Sequence, residues 1–115
     1  MSDSQPVRPD HEMYTLLQDE NLDEFNRRRA EGDDFNLAGL DLRALDLRGL
    51  NTKGLDLTDS YLRNANLAGL DLSVCNLEGA SIFQAHISGA LFPKELAPEE
   101  IRLSIEFGTR LRNRA

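Results

Sequence analysis

Apolar residues recur in pairs from Phe35 to Lys94, two residues apart within a pair and three between pairs. In blocks of five the stretch reads FNLAG, LDLRA, LDLRG, LNTKG, LDLTD, SYLRN, ANLAG, LDLSV, CNLEG, ASIFQ, AHISG and ALFPK. The third position is Leu, Ile or Phe in every block but one, which has Thr52. The first is Leu, Phe, Ala or Cys in every block but one, which has Ser60. The other three positions are mostly polar or glycine. This spacing fits neither a 3.6-residue helix nor a continuous strand. Each apolar pair is a short extended segment, and the extra residue before the next pair forces a corner. Repeated without a break, the pattern predicts a coil with its apolar residues on the axis. Successive turns must then stack, pairing their backbone groups and burying a shared core.

Segments such as LDLRALDLRG and ANLAGLDL resemble the pentapeptide-repeat family, whose consensus is A-[DN]-L-x-x. The resemblance covers about half the chain and implies a right-handed, quadrilateral β-helix with four pentads per coil. Twelve pentads then make about three coils, an all-β solenoid. With twenty residues per coil, the central positions stack as Leu37–Leu57–Leu77, Leu42–Leu62–Ile82, Leu47–Leu67–Ile87 and Thr52–Leu72–Phe92. The family prefers alanine at the first position, and the first coil departs from this with Leu40, Leu45 and Leu50. These leucines require a covering element. The short Asp and Asn residues at second positions (Asn36, Asp41, Asp46, Asn51, Asp56, Asn66, Asp71, Asn76) are expected to bond to neighbouring backbone at the corners rather than to bind ions.

Helices are predicted at both ends. Upstream, His11–Asp19 and Leu22–Glu31 read as a hairpin, with Asn21 and Glu24 as a capping-box-like start and Gly32 as a stop. Met13, Leu16, Leu17, Leu22 and Phe25 supply an apolar surface to lid the first coil. The rival reading makes this hairpin a partner-binding head with Arg27, Arg28 and Arg29 as contacts. Downstream, Pro98-Glu99-Glu100 starts a helix that Gly108 ends. That helix carries two apolar stripes on nearly opposite sides, Ile101/Ile105 and Leu103/Phe107. One stripe can seal the last coil beneath Phe92. The second is expected to help form a homodimer, as the resemblance implies through C-terminal elements, unless a groove buries both. The chain thus divides into a disordered 1–9, a helical cap 10–34, the repeat 35–94, and a helix with its tail 95–115.

The net charge of −7 is uneven: residues 1–34 hold ten acids against four arginines, so an acidic head precedes a nearly balanced repeat. This distribution argues against a nucleic-acid partner. No apolar run approaches the roughly 20 residues of a membrane helix, and the N-terminus lacks a signal-peptide layout. A lone Cys75 at an inward position reads as a buried small hydrophobe, and a cytoplasmic protein follows as the simplest expectation. His11 and His86 have no ligand-spaced companions, and no Gly-rich phosphate loop or nucleophile–base spacing occurs. The expectation is therefore no enzyme, no metal, no cofactor and no small-molecule substrate.

What remains is surface. On the second face, outward positions stack as Asp41–Tyr61–Ser81 and Arg43–Arg63–Phe83. The group Arg43, Tyr61, Arg63 and Phe83 has the composition of an interface hot spot. The plainer alternative packs Phe83 under the C-terminal helix and pairs Arg43 with Asp41. The leading functional expectation is a non-enzymatic protein-interaction or scaffold module. The alternatives are a DNA-mimicking, gyrase-binding protein, as some members of the resembled family are, and a purely structural, self-associating domain. Arg43, Arg48, Lys53 and Arg63 interrupt the negative stripe that a DNA mimic needs.

Overall fold

The computed structural model describes residues 6–114. Parallel backbone bridges join residues twenty apart, as Asp41–Tyr61–Ser81, Asp46–Asn66–His86, Asp56–Asn76 and Asp71–Leu91. Each bridge is a single rung, and no continuous strand is formed among the described residues. The hydrogen bonds repeat with the same interval: Leu42 N–H donates to the Tyr61 carbonyl at 2.9 Å, and Leu62 N–H to the Ser81 carbonyl at 2.8 Å. The chain therefore returns to its own previous level every four pentads. The spacing of two, three, two sets this outcome, since an extended run of two or three residues has room for only one rung before its corner.

The inward columns form one core. Leu37, Leu42, Leu47, Leu57, Leu62, Leu67, Leu72, Leu77 and Ile82 are buried, with Leu40, Leu45 and Leu50 beside them. Fully burying such a side chain stabilises by about 1.5–3 kcal/mol. The two polar exceptions in the pattern are satisfied internally. Thr52 Oγ1 donates to the Asp71 carbonyl at 2.7 Å, and Ser60 Oγ donates to the Leu57 carbonyl at 2.7 Å. Neither hydroxyl is left to carry an uncompensated burial cost.

Two helices, α1 (Glu12–Gln18) and α2 (Leu22–Ala30), stand before the repeat. His11 caps α1 through Nδ1, which accepts from Met13 N–H at 3.0 Å, and Asn21 Oδ1 caps α2 by accepting from Glu24 N–H. Met13, Leu17, Leu22 and Phe25 are buried in the same core as the first-coil leucines, with Leu16 partly so. The hairpin also meets the edge of the first coil with polar groups. Tyr14 Oη donates to the Asp41 carbonyl at 2.7 Å, and Glu20 Oε2 accepts from Asp46 N–H at 2.7 Å. Asn26 Oδ1 accepts from Asn51 N–H at 2.9 Å, while Arg29 donates to the Asn51 and Lys53 carbonyls, each at 2.8 Å.

Of the segment 1–9 expected to be disordered, residues 1–5 lie outside the described residues. Val7 bridges in parallel to Leu40, donating to the Gly39 carbonyl at 3.0 Å and accepting from Asp41 N–H at 2.8 Å. The polar composition of this stretch concealed a backbone pairing that ignores side-chain polarity.

At the other end, α3 (Pro98–Phe107) stops at Gly108 in the left-handed conformation. Ser104 Oγ accepts from Ile82 N–H at 3.0 Å, and the Ile105 carbonyl accepts from Gln84 N–H at 3.1 Å. The tail continues the cover: Gly79 N–H donates to the Leu111 carbonyl at 2.7 Å, and Leu111 N–H donates to the Ala80 carbonyl at 2.8 Å.

Corner residues take positive φ, for which glycine is the relaxed choice. Gly49 (φ 93°) has open space around it, whereas Ala44 holds φ 63° with a side chain. Gly49→Ala is expected to lower unfolding free energy by about 1 kcal/mol, from backbone strain alone. Ala44→Gly is expected to raise it by about 0.5 kcal/mol, the relief exceeding the added chain entropy. Urea unfolding followed by circular dichroism measures both.

Candidate functional site

Every corner acid or amide of the second-position column works locally. The side-chain oxygens of Asn36, Asp41, Asp46, Asn51, Asp56, Asn66, Asp71 and Asn76 each accept from the backbone N–H two residues on, at 2.8–3.2 Å. These are Asx turns that hold the chain at the transition from extended segment to corner. One oxygen of each is engaged with the backbone. Among the described residues, no group of three or more His, Cys, Asp or Glu is placed to hold a metal ion.

On the second face Arg43 grips Asp41 with two bonds, Nε to Oδ1 and Nη2 to Oδ2, both 2.8 Å. Asp41 also accepts from Arg8 Nε at 2.6 Å, and its side chain is only 6% exposed. The Arg43 bonds, together with the Arg8 bond, hold the Asp41 carboxyl well below the usual carboxylate range. One step along the coil, Arg48 treats Asp46 the same way and holds it down to about 2. Acids on two neighbouring faces are thus matched by arginines and form no bare negative stripe.

The other members of the predicted face are brought together with the tail. The Arg63 guanidinium lies 4.7 Å over the Phe83 ring, and Arg110 lies 5.0 Å over Tyr61. Arg110 Nη2 also donates to Tyr61 Oη at 2.8 Å, and Arg110 Nη1 to the Gly79 carbonyl at 2.7 Å. Gly108 packs against Phe83, so close that an added methyl would sit 3.5 Å from the ring. Ser81 Oγ reaches the Gly108 carbonyl at 3.4 Å. Arg43 is held on Asp41, with Tyr61 close enough to favour its charged form. Two Arg–aromatic pairs therefore stand on the face, one supplied by the chain's own tail. Arg110 gave no signal in the sequence, because its partner lies forty-nine residues earlier.

The arginines of α2 are engaged within the protein. Arg27 pairs with Glu24 and Glu31, Arg28 with Glu12 and Asp33, and Arg29 with the first-coil carbonyls. The two stripes of α3 part company: Ile101 and Ile105 pack against the core, while Leu103 is 36% and Phe107 71% exposed. Ser104, between the stripes, is buried and accepts from Ile82 N–H. Cys75 Sγ rests 3.4 Å from the Thr52 carbonyl, and burial pushes its thiol up to about 11, far from thiolate reactivity. A polar cleft of about 270 Å³ lies between Glu20, Asn21, Leu22, Asp23, Asp46 and Arg48. Within it Asp46 and Arg48 pair with each other at 2.7 Å.

A family model described as pentapeptide repeats matches the chain in eight copies, over residues 41–79 and 56–92. No curated protein and no solved structure matches it. Among the described residues no helix is long and apolar enough to cross a membrane.

The Asp41 pairing fixes a pH dependence. A carboxyl whose folded pKa lies below its unfolded value contributes stability above the unfolded value and loses it as pH falls toward the folded one. Stability is therefore expected to be flat from pH 7 to about 4 and to fall below that. Asp41→Asn should be less stable than the wild type at pH 7, the gap narrowing as pH drops below about 4. Chemical unfolding across pH 3–7 reads the difference.

Proposed function

Because the chain is a pentapeptide-repeat protein, we propose that it is a non-enzymatic protein-interaction module, built as a right-handed quadrilateral β-helix of about three coils and docking through α3. The β-helix is supported by parallel bridges at intervals of twenty residues and by burial of the inward columns. Proteins of this family are commonly interaction modules, and a rigid frame loses little entropy when it docks a partner. The buried, unreactive Cys75 suits a cytoplasmic setting.

One observation carries the choice of surface: Phe107 is the most exposed of the large hydrophobic side chains among the described residues, with Leu103 one turn before it on α3. A second copy of the chain fits this stripe. Two α3 helices packed antiparallel set Leu103 and Phe107 against their counterparts. Arg102 of each can then face an acid of the other, Glu99 or Glu106, all three being exposed. A stripe this narrow falls below the roughly 1,200 Å² of standard interfaces, so the dimer is weak.

Sedimentation equilibrium tests the reading. The wild type is expected to show a monomer–dimer equilibrium with Kd of about 10–100 µM. Phe107→Glu should be monomeric over the same range, with an unchanged melting temperature because the side chain is exposed. A wild type that stays monomeric at about 500 µM, or a Phe107→Glu variant that dimerises equally, overturns it.

A further inference from the structure

A different surface stands out at the first coil. Residues 6–8 join the edge of the repeat without belonging to any helix. Their receiver is built and largely buried. It consists of the Gly39 carbonyl, the Asp41 N–H and the Asp41 carboxylate, which Arg43 fixes in a two-bond pair. Tyr14 pins the Asp41 carbonyl from below. The occupant, by contrast, is exposed: the Arg8 side chain is 66% accessible and Val7 half so. It is held by two backbone bonds and one ion pair.

The charge fit is selective. Arg8 is the single Lys or Arg between residues 1 and 26 in an otherwise acidic stretch, and it lands on the Asp41 carboxylate. Pro6 and Pro9 flank the pair, so the Pro-Val-Arg-Pro sequence is biased toward extended backbone before it pairs. A pre-extended, lightly held, basic strand paired to a backbone edge with a carboxylate in reach has the physical character of a resident ligand. Extended segments dock on sheet edges in this way, with backbone bonds giving affinity and one side chain giving selectivity.

We propose that the Gly39–Asp41 edge is a docking site for an extended segment of another protein in which an aliphatic residue is followed directly by arginine, and that Pro6–Arg8 is the occupant such a segment displaces. This site is separate from the α3 surface, which stands on the last coil. It extends the interaction reading without depending on dimerisation. The tethered strand competes at an effective concentration of about millimolar, so the intact protein binds an outside peptide weakly.

Fluorescence anisotropy with a labelled acetyl-PVRPD-amide peptide tests the proposal on the full-length chain. A Val7→Pro/Arg8→Ala variant removes the strand's N–H and its charge but leaves the receiver intact. It is expected to bind the peptide at least about tenfold more tightly than the wild type does. Adding Asp41→Asn should abolish that gain. The control peptide acetyl-PVAPD-amide should not bind the loosened variant, and this arm decides the matter if the Asp41→Asn protein fails to melt cooperatively. Equal binding to wild type and loosened variant, no binding to either, or indifference to the arginine overturns the proposal. Because the sedimentation test reads α3 alone, either result can fail without the other.

Discussion

A backbone that climbs by single rungs has no broad sheet to share its unpaired groups, so each level depends on the next for hydrogen-bond partners. Within the repeat the dependence is met by periodicity: an N–H of one level finds the carbonyl nineteen residues on, as Leu42 finds Tyr61 and Leu62 finds Ser81. At the ends periodicity fails, and buried or half-buried amides left bare would each cost about 1–3 kcal/mol. The first coil meets the problem with side chains from the hairpin and with Val7. The last coil meets it with Leu111, Ser104 and Ile105 over Gly79–Gln84, while the Ile87 and Gly89 amides meet no acceptor among the described residues. Much of what lies outside the repeat can be understood as the completion of its two edges.

The corners are the complementary device. An Asx turn at eight of the twelve second positions commits the short polar side chain to the backbone two residues later. The same bond that bends the chain also occupies one oxygen of each of these side chains. Where an arginine follows two residues after the aspartate, as at Arg43 and Arg48, the carboxylate is claimed twice, by backbone and by guanidinium. On the two faces that carry Asp41 and Asp46, the acids are consequently matched by arginine charge.

How much of this was legible depends on the range of the interaction. The apolar columns show in the sequence because their period is five, and even Thr52 and Ser60 stand out as interruptions. The Arg43–Asp41 pair is two residues long and was visible as an alternative. The Arg63–Phe83 stack needs only the twenty-residue period. The cover of the edges was a different matter. Arg29 on the Lys53 carbonyl, Ser104 on Ile82, Arg110 on Tyr61 and Val7 on Leu40 join a side chain or a lone extended residue to backbone or to an aromatic far away in sequence. Such bonds impose no periodicity and no local composition. The apolar part of the hairpin announced a lid; its polar half, which satisfies the edge, did not.

The proposed docking surfaces follow the same division. Surfaces made by the repeat are mostly spoken for, while the exposed stripe of α3 and the lightly held strand at Gly39–Asp41 lie where the repeat stops. Amide hydrogen exchange by NMR tests most directly whether the end elements complete the edges. Asp46 and Asn51 at the first coil, and Ile82 and Gln84 at the last, should exchange as slowly as Leu62 inside the repeat. Ile87 and Gly89 are the internal contrast, since their N–H groups meet no acceptor among the described residues, and they should exchange rapidly. Exchange at Ile82 and Gln84 as fast as at Ile87 would contradict the account, because the last coil would then be open rather than sealed by α3.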